Sequence, residues 1–106
     1  MGWVYVVAAG FFEIAFTTAM KMSEGFSRLY PTLFFVLFSI ASFFLLVRSL
    51  TSLPLGTAYA VWTGIGAFGT AFIGILYFKE PATVGRIFFL LTLIGSVIGL
   101  KLVSAH

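Results

Sequence analysis

The sequence predicts an all-α integral membrane protein with four transmembrane helices. Of its 106 residues, 61% are hydrophobic and only 8% are charged, whereas a soluble domain has charges at about a quarter of its positions. The chain divides into four apolar segments, each near the length of about 20 residues that crosses a bilayer. Lipid admits only helices and closed barrels, and these segments are too long and too uniformly apolar for barrel strands.

The four predicted spans are about residues 3–20, 31–47, 57–78 and 84–101, within one transmembrane domain of residues 1–106. The loops between them collect charged residues, Gly and Pro, which commonly interrupt helices. Pro31 suits the first turn of the second span, and Pro54 and Gly56 precede the third. No basic stretch comes before the first span, which we therefore interpret as a retained helix and not a secretory signal.

Composition also excludes several kinds of function. The sequence has no cysteine and a single histidine, His106, so it offers neither thiolate ligands nor a Ser–His–Asp arrangement inside the membrane. It has no phosphate-binding glycine loop. The net charge of +3 is small and scattered, unlike a nucleic-acid surface. We therefore expect no metal, no cofactor, no nucleic-acid partner and no enzyme activity.

The loop charges barely distinguish the two sides of the membrane. With the N-terminus on side A, the basic residues of side B are Lys21, Arg28, Lys79 and Arg86. Side A carries Arg48, Lys101 and the terminal amine. Such a balance gives almost no positive-inside bias. Two interpretations remain open: a weakly biased single orientation, or a chain that inserts both ways and pairs antiparallel.

Glu13 is a carboxylate near the middle of a predicted span. The other two acidic residues, Glu24 and Glu80, lie in loops, each near a lysine that is its expected surface partner. A carboxylate at the bilayer centre costs at least a few kcal/mol, and the sequence places no basic residue in the central part of any span. Glu13 is thus either a protonated group that holds helices together or a group that exchanges a proton for a cation. We favour exchange, because ionisable groups inside a membrane are usually functional.

Helical spacing identifies the neighbours of Glu13 on the first two spans. Residues three or four positions away share its face: Ala9, Gly10, Phe16 and Thr17. Gly10 removes bulk there and could leave a small cleft. Ser39 and Ser42 form one stripe on the second span, where either hydroxyl could orient the carboxylate or bond back to its own helix.

The third span presents a polar and aromatic face of Tyr59, Trp62, Thr63 and Gly66, spaced to lie together on a helix. Trp62 is deeper than an interfacial aromatic belt, which favours a place on a cavity wall. A Tyr hydroxyl, a Trp ring and a carboxylate suit a bound cation. Gly64 and Gly66 allow either a hinge or close helix packing.

Gly95 and Gly99 form a G-x-x-x-G pattern on the fourth span, a pattern common at helix-pairing faces. Four helices enclose little space for a cation path, which also favours an oligomer.

These features together resemble the small multidrug resistance family over the whole chain. The resemblance rests on four short helices, Glu13 alone in the first, "KMSEGFSRLYP" after it and "GTAYAVWTGIGA" in the third. It implies an antiparallel, dual-topology dimer in the bacterial cytoplasmic membrane that exchanges protons for cations. Glu13 of both subunits would form the shared site, with Tyr59, Trp62 and Ser42 orienting the carboxylates.

Within that family, Gly10, the "GTAYAVWTGIGA" run and Lys101 in "GLKL" resemble the guanidinium exporter branch, whose substrates are guanidinium and small substituted guanidiniums. Phe16 departs from that branch, which usually has Trp there, and "FTTAMK" is similar to the quaternary-ammonium branch. Phe lacks the indole N–H, which predicts a looser hydrogen-bond network around Glu13.

The leading hypothesis is therefore proton-coupled export of guanidinium, in which protons and the cation compete for the paired Glu13 carboxylates. Three alternatives stay open: a broad exporter of quaternary ammonium cations, a cation channel, and a membrane subunit that does not transport or that works only beside a different chain.

Overall fold

The computed structural model describes residues 2–103, which fold into four α-helices. Their bounds are Gly2–Met22 (α1), Leu29–Ser49 (α2), Leu55–Tyr77 (α3) and Val84–Val103 (α4). Each helix is long and apolar enough to cross a membrane, which confirms the all-helical, four-span prediction. His106 lies outside the described residues.

α1 is the helix on which the fold is assembled. It packs against both α2 and α3, whereas the backbone of α4 packs only on α3 among the described helices. The result is a thin slab of 43 × 34 × 16 Å, hardly thicker than one helix with its side chains. At one end of α4, the Lys101 ammonium lies 5.7 Å from the Trp3 ring.

A slab this thin buries little apolar surface. The buried cluster comprises Val6, Ala9, Leu53, Ala58, Val61, Trp62 and Val97. Many large apolar side chains stay exposed on the outer faces, among them Phe44, Leu76 and Phe89. An apolar surface of this extent is unsuited to water and matches the lipid environment that the composition predicts.

The first loop is organised by Ser23, which is completely buried. Its hydroxyl donates to the Met20 carbonyl over 2.7 Å and accepts the Phe26 N–H over 3.0 Å. Glu24, Gly25 and Phe26 all have positive φ angles, so the chain reverses tightly and α2 returns alongside α1. Pro31 lies in the first turn of α2, where its missing N–H removes no helical hydrogen bond.

The loop carboxylates pair with arginines, not with the lysines expected from sequence proximity. Glu24 lies 3.8 Å from Arg28, with both side chains exposed, so the pair contributes little to stability. Glu80 lies 2.7 Å from Arg86. The lysine prediction was wrong because the backbone turns place each carboxylate beside an arginine that follows it in the chain. At the third loop, Lys79 has a φ of 57°, and the Glu80 N–H donates to the Gly74 carbonyl.

Candidate functional site

Glu13 lies midway along α1 and directs its carboxyl group at the backbone of α3. A Cβ atom at Gly66 would overlap that carboxyl group, so only glycine at this position lets the two helices enclose the side chain. α3 continues as one helix through Gly64 and Gly66. Gly64 brings α3 close to Val97 of α4, whose Cγ2 would lie 2.6 Å from an added Cβ.

The carboxyl group has an unsatisfied oxygen. Glu13 Oε1 is buried and has no hydrogen-bond partner among the described residues. The two ion pairs found within residues 2–103 involve Glu24 and Glu80, not Glu13. A buried polar atom without a partner is costly, and a proton or a cation would relieve that cost. Within the same residues, no three His, Cys, Asp or Glu side chains gather in a way that could hold a metal ion.

Trp62 and Ser42 form a hydrogen-bonded chain that joins three helices. Trp62 Nε1 donates to Ser42 Oγ over 2.9 Å, and Ser42 Oγ donates to the Ala9 carbonyl over 2.7 Å. In a regular helix, that carbonyl also accepts the backbone N–H of Glu13. These hydrogen bonds therefore reach the backbone one turn before Glu13, and they do not include the carboxyl group itself.

Ser39, the other candidate on α2, donates to the Phe35 carbonyl of its own helix over 2.7 Å. Thr63 likewise bonds to its own helix, through the Tyr59 carbonyl at 2.8 Å. Of the two alternatives left open for the serines, Ser39 adopts the local bond and Ser42 the bond between helices.

Aromatic rings extend from Phe16 to the Trp62 side chain. Phe16 stacks on Phe43 with ring centroids 6.2 Å apart, and Phe43 lies 5.4 Å from Trp62. The next ring is Tyr59, 5.9 Å from Trp62 and 57% exposed. Phe16 also contacts Phe35 edge-on, with ring centroids 5.8 Å apart. Phe16 therefore packs against α2, and we call the rings from Phe16 to Tyr59 the aromatic row.

The remaining predicted glycines fall into two groups. Gly10 faces Ile65, whose nearest side-chain atom would lie 2.7 Å from an added Cβ, so Ile65 occupies the space where a cleft was expected. A Cβ atom added at Gly95 or Gly99 would meet nothing within 4 Å, so the two glycines leave a flat strip on the outside of α4.

Thr70 is a polar neighbour that the sequence reasoning missed. Its hydroxyl lies 2.6 Å from that of Thr17, across the α1–α3 contact. Thr70 follows Gly66 by one helical turn, so extending the polar face of α3 by that turn would have included it.

Ser42→Ala should destabilise the fold more than Ser39→Ala. Removing the Ser42 hydroxyl leaves the Trp62 N–H buried without an acceptor, which costs about 1–3 kcal/mol. Ser39 loses only a bond within its own helix, so we expect a change below about 0.5 kcal/mol. Unfolding of the purified variants by sodium dodecyl sulfate in mild-detergent micelles measures both. Equal changes would show that the Trp62–Ser42–Ala9 chain contributes nothing.

Comparison with known proteins finds relatives that match over nearly the whole chain. Residues 1–94 match the model of the family described as Small Multidrug Resistance protein. A guanidinium exporter of Yersinia pseudotuberculosis is 48% identical over 98% of this chain and all of the relative. A guanidinium exporter of Escherichia coli is 45% identical over the full length of both.

A third relative, the probable guanidinium efflux system subunit GdnD of Bacillus licheniformis, is 44% identical over 98% of this chain and its own full length. Family match and full-length identity agree with the four-helix fold. The chain belongs to the small multidrug resistance family of transporters.

Proposed function

We propose that this protein exports guanidinium and small substituted guanidinium cations across the bacterial cytoplasmic membrane in exchange for protons. The observation that carries the proposal is the Glu13 carboxyl group, which lies against Gly66 with its buried Oε1 unpartnered. Full-length relatives that are named guanidinium exporters support the choice of substrate.

Exchange follows from the electrostatics of that carboxyl group. An unpaired carboxylate is costly at the centre of a bilayer, so Glu13 is most stable when it carries either a proton or a cation. A planar guanidinium can donate two parallel hydrogen bonds to a carboxylate, as an Arg side chain does. Proton and cation compete for the same oxygens, and an inward proton gradient then drives the cation outward.

The aromatic row supplies the other side of the site. Cations are attracted to the faces of Trp and Tyr rings, and Trp62 and Tyr59 lie together on α3. Ser42 fixes the Trp62 ring through its hydrogen bond. We assign Phe16, Gly10 and Thr63 to the boundary of the same site, where side-chain size and hydroxyl groups would select among cations.

An antiparallel homodimer would complete the site with a second Glu13. Two features support it: the slab is only 16 Å thick, and Gly95 and Gly99 leave open space on α4. The almost even distribution of loop charges fits insertion in both orientations. Gly64 and Gly66 are the proposed points at which α3 bends during exchange.

Glu13→Gln should abolish proton-coupled guanidinium transport, because glutamine neither releases a proton nor pairs with a cation as an anion. We expect the current on solid-supported membranes to fall to that of protein-free liposomes. Glu24→Gln is the matched control, since Glu24 pairs with Arg28 at the surface and its loss should leave transport intact. Coupled transport by Glu13→Gln would refute the mechanism.

The same experiment on the unmodified protein tests whether the chain acts alone. One relative is named as a subunit of an efflux system, which makes pairing with a different chain the second candidate. Purified protein that carries a guanidinium current without any partner supports the homodimer. A current that appears only with a second chain supports the paired transporter.

Phe16→Trp should raise the preference for guanidinium over tetraalkylammonium. An indole N–H at this position adds a donor near Glu13, and one hydrogen bond corresponds to a change of about twofold to tenfold. The ratio of the two currents measures the effect, with Phe11→Trp on the exposed side of α1 as the control. An unchanged ratio would remove position 16 from the selectivity argument.

Gly95→Val and Gly99→Val should weaken dimerisation, because a side chain in a close helix contact costs about 1–3 kcal/mol. The dissociation constant in detergent should rise about tenfold. Gly85→Val is the control, since Gly85 also lies on α4 and a Cβ atom added there would meet nothing within 4 Å. Crosslinking across a dilution series measures the dimer fraction; equal effects of all three changes would argue against pairing through Gly95 and Gly99.

A further inference from the structure

α1 and α3 run in the same direction and contact each other in register around Glu13. The Glu13 carboxyl group lies on Gly66, and the Ile14 side chain lies on Gly69. One turn further along both helices, the Thr17 hydroxyl meets the Thr70 hydroxyl at 2.6 Å. One register of α1 against α3 therefore sets both contacts: the carboxyl group over Gly66 and the hydrogen bond between the two threonines.

Either hydroxyl of the pair could donate to the other, and the other contacts of Thr17 favour Thr70 as the donor. Thr17 Oγ1 lies 2.9 Å from the Glu13 carbonyl and 3.1 Å from the Ile14 carbonyl, so backbone acceptors of α1 take its single proton. Within residues 2–103, the hydrogen-bond partner of the Thr70 hydroxyl is Thr17. Thr70 thus donates to Thr17, and Thr17 donates to the backbone of the turn that begins at Glu13.

A second set of hydrogen bonds lies one turn earlier on α1. Trp62 of α3 donates to Ser42, which donates to the Ala9 carbonyl. Ala9 and Glu13 are the residues whose carbonyls lie at the two ends of the helical turn that carries the carboxyl group. Donors on α3 hold this turn at both ends, the first through Ser42 and the second through Thr17.

We propose that Thr17 and Thr70 are positioning residues for Glu13: their hydrogen bond fixes α1 against α3 in the register that places the carboxyl group over Gly66. This inference rests on the proposed function, in which that carboxyl group binds guanidinium. Neither threonine needs to touch the cation. The effect of losing the bond is a displaced carboxyl group and hence weaker guanidinium binding.

Thr17→Val and Thr70→Val test the proposal, because valine keeps the shape of threonine and removes the hydroxyl. Each should raise the guanidinium KM about threefold to twentyfold, the range spanned by hydrogen bonds between membrane helices, while the maximal current changes less than about twofold. Thr17→Ser should restore the wild-type KM. The double variant should be no worse than either single one, since one shared interaction is lost.

Thr18→Val is the matched control. Thr18 is the next residue on α1, and its hydroxyl bonds to the Ile14 carbonyl of its own helix over 2.8 Å. A purely structural role would lower the maximal current through loss of folded protein and leave KM unchanged. Unchanged KM in both Thr→Val variants, additive effects in the double variant, or an equal effect of Thr18→Val would each overturn the proposal.

A second measurement separates this inference from the proposed function. Dicyclohexylcarbodiimide reacts with carboxyl groups in membranes, and mass spectrometry follows its reaction with Glu13 without any substrate. We expect its rate to change in Thr17→Val and Thr70→Val and to stay constant in Thr17→Ser and Thr18→Val. Wild-type protein without guanidinium current would refute the proposed function, whereas unchanged labelling in both Val variants would refute the positioning role alone.

Discussion

The structure depends on keeping one carboxyl group inside a bilayer. Glu13 can lie between α1 and α3 because Gly66 leaves room for it, and its Oε1 receives no hydrogen bond from the described residues. A fold selected only for stability would replace such a group, since isolated charges in lipid are costly. Retaining it makes the protein most stable when something else neutralises the charge, and in the proposed mechanism that requirement links the cation to the proton.

The hydrogen bonds around Glu13 act on its backbone. In soluble proteins a functional carboxylate is often oriented by donors to its oxygens, which also satisfy it. Here the donors from α3 end on the carbonyls of Ala9 and Glu13, so they hold the helix turn while the oxygens stay available. Such an arrangement suits a group that must exchange partners, because no protein donor has to be displaced when a proton or a cation arrives.

Much of this could be predicted from sequence, and the remainder depends on how the helices are rotated and aligned. Apolar length predicts the four helices, and the position of Glu13 in its segment marks it as unusual. The partner of Ser42 could not be predicted, because the choice between a local and an interhelical bond depends on the rotation of α2 against α1. Sequence proximity also suggested lysine partners for Glu24 and Glu80, whereas the turns bring them to Arg28 and Arg86. The roles of the site residues stay predictions.

Phe16 and Thr17 are neighbours on α1 that contact different helices. Phe16 faces α2, where its ring contacts Phe35 and Phe43, whereas Thr17 faces α3 and Thr70. A Trp at position 16 would add a donor on the α2 side of Glu13, and this chain lacks it. In the proposed positioning role, the threonine pair instead fixes the turn from the α3 side. Under the two proposals, selectivity and positioning are separated onto two faces of α1, because Phe16 contacts α2 and Thr17 contacts α3.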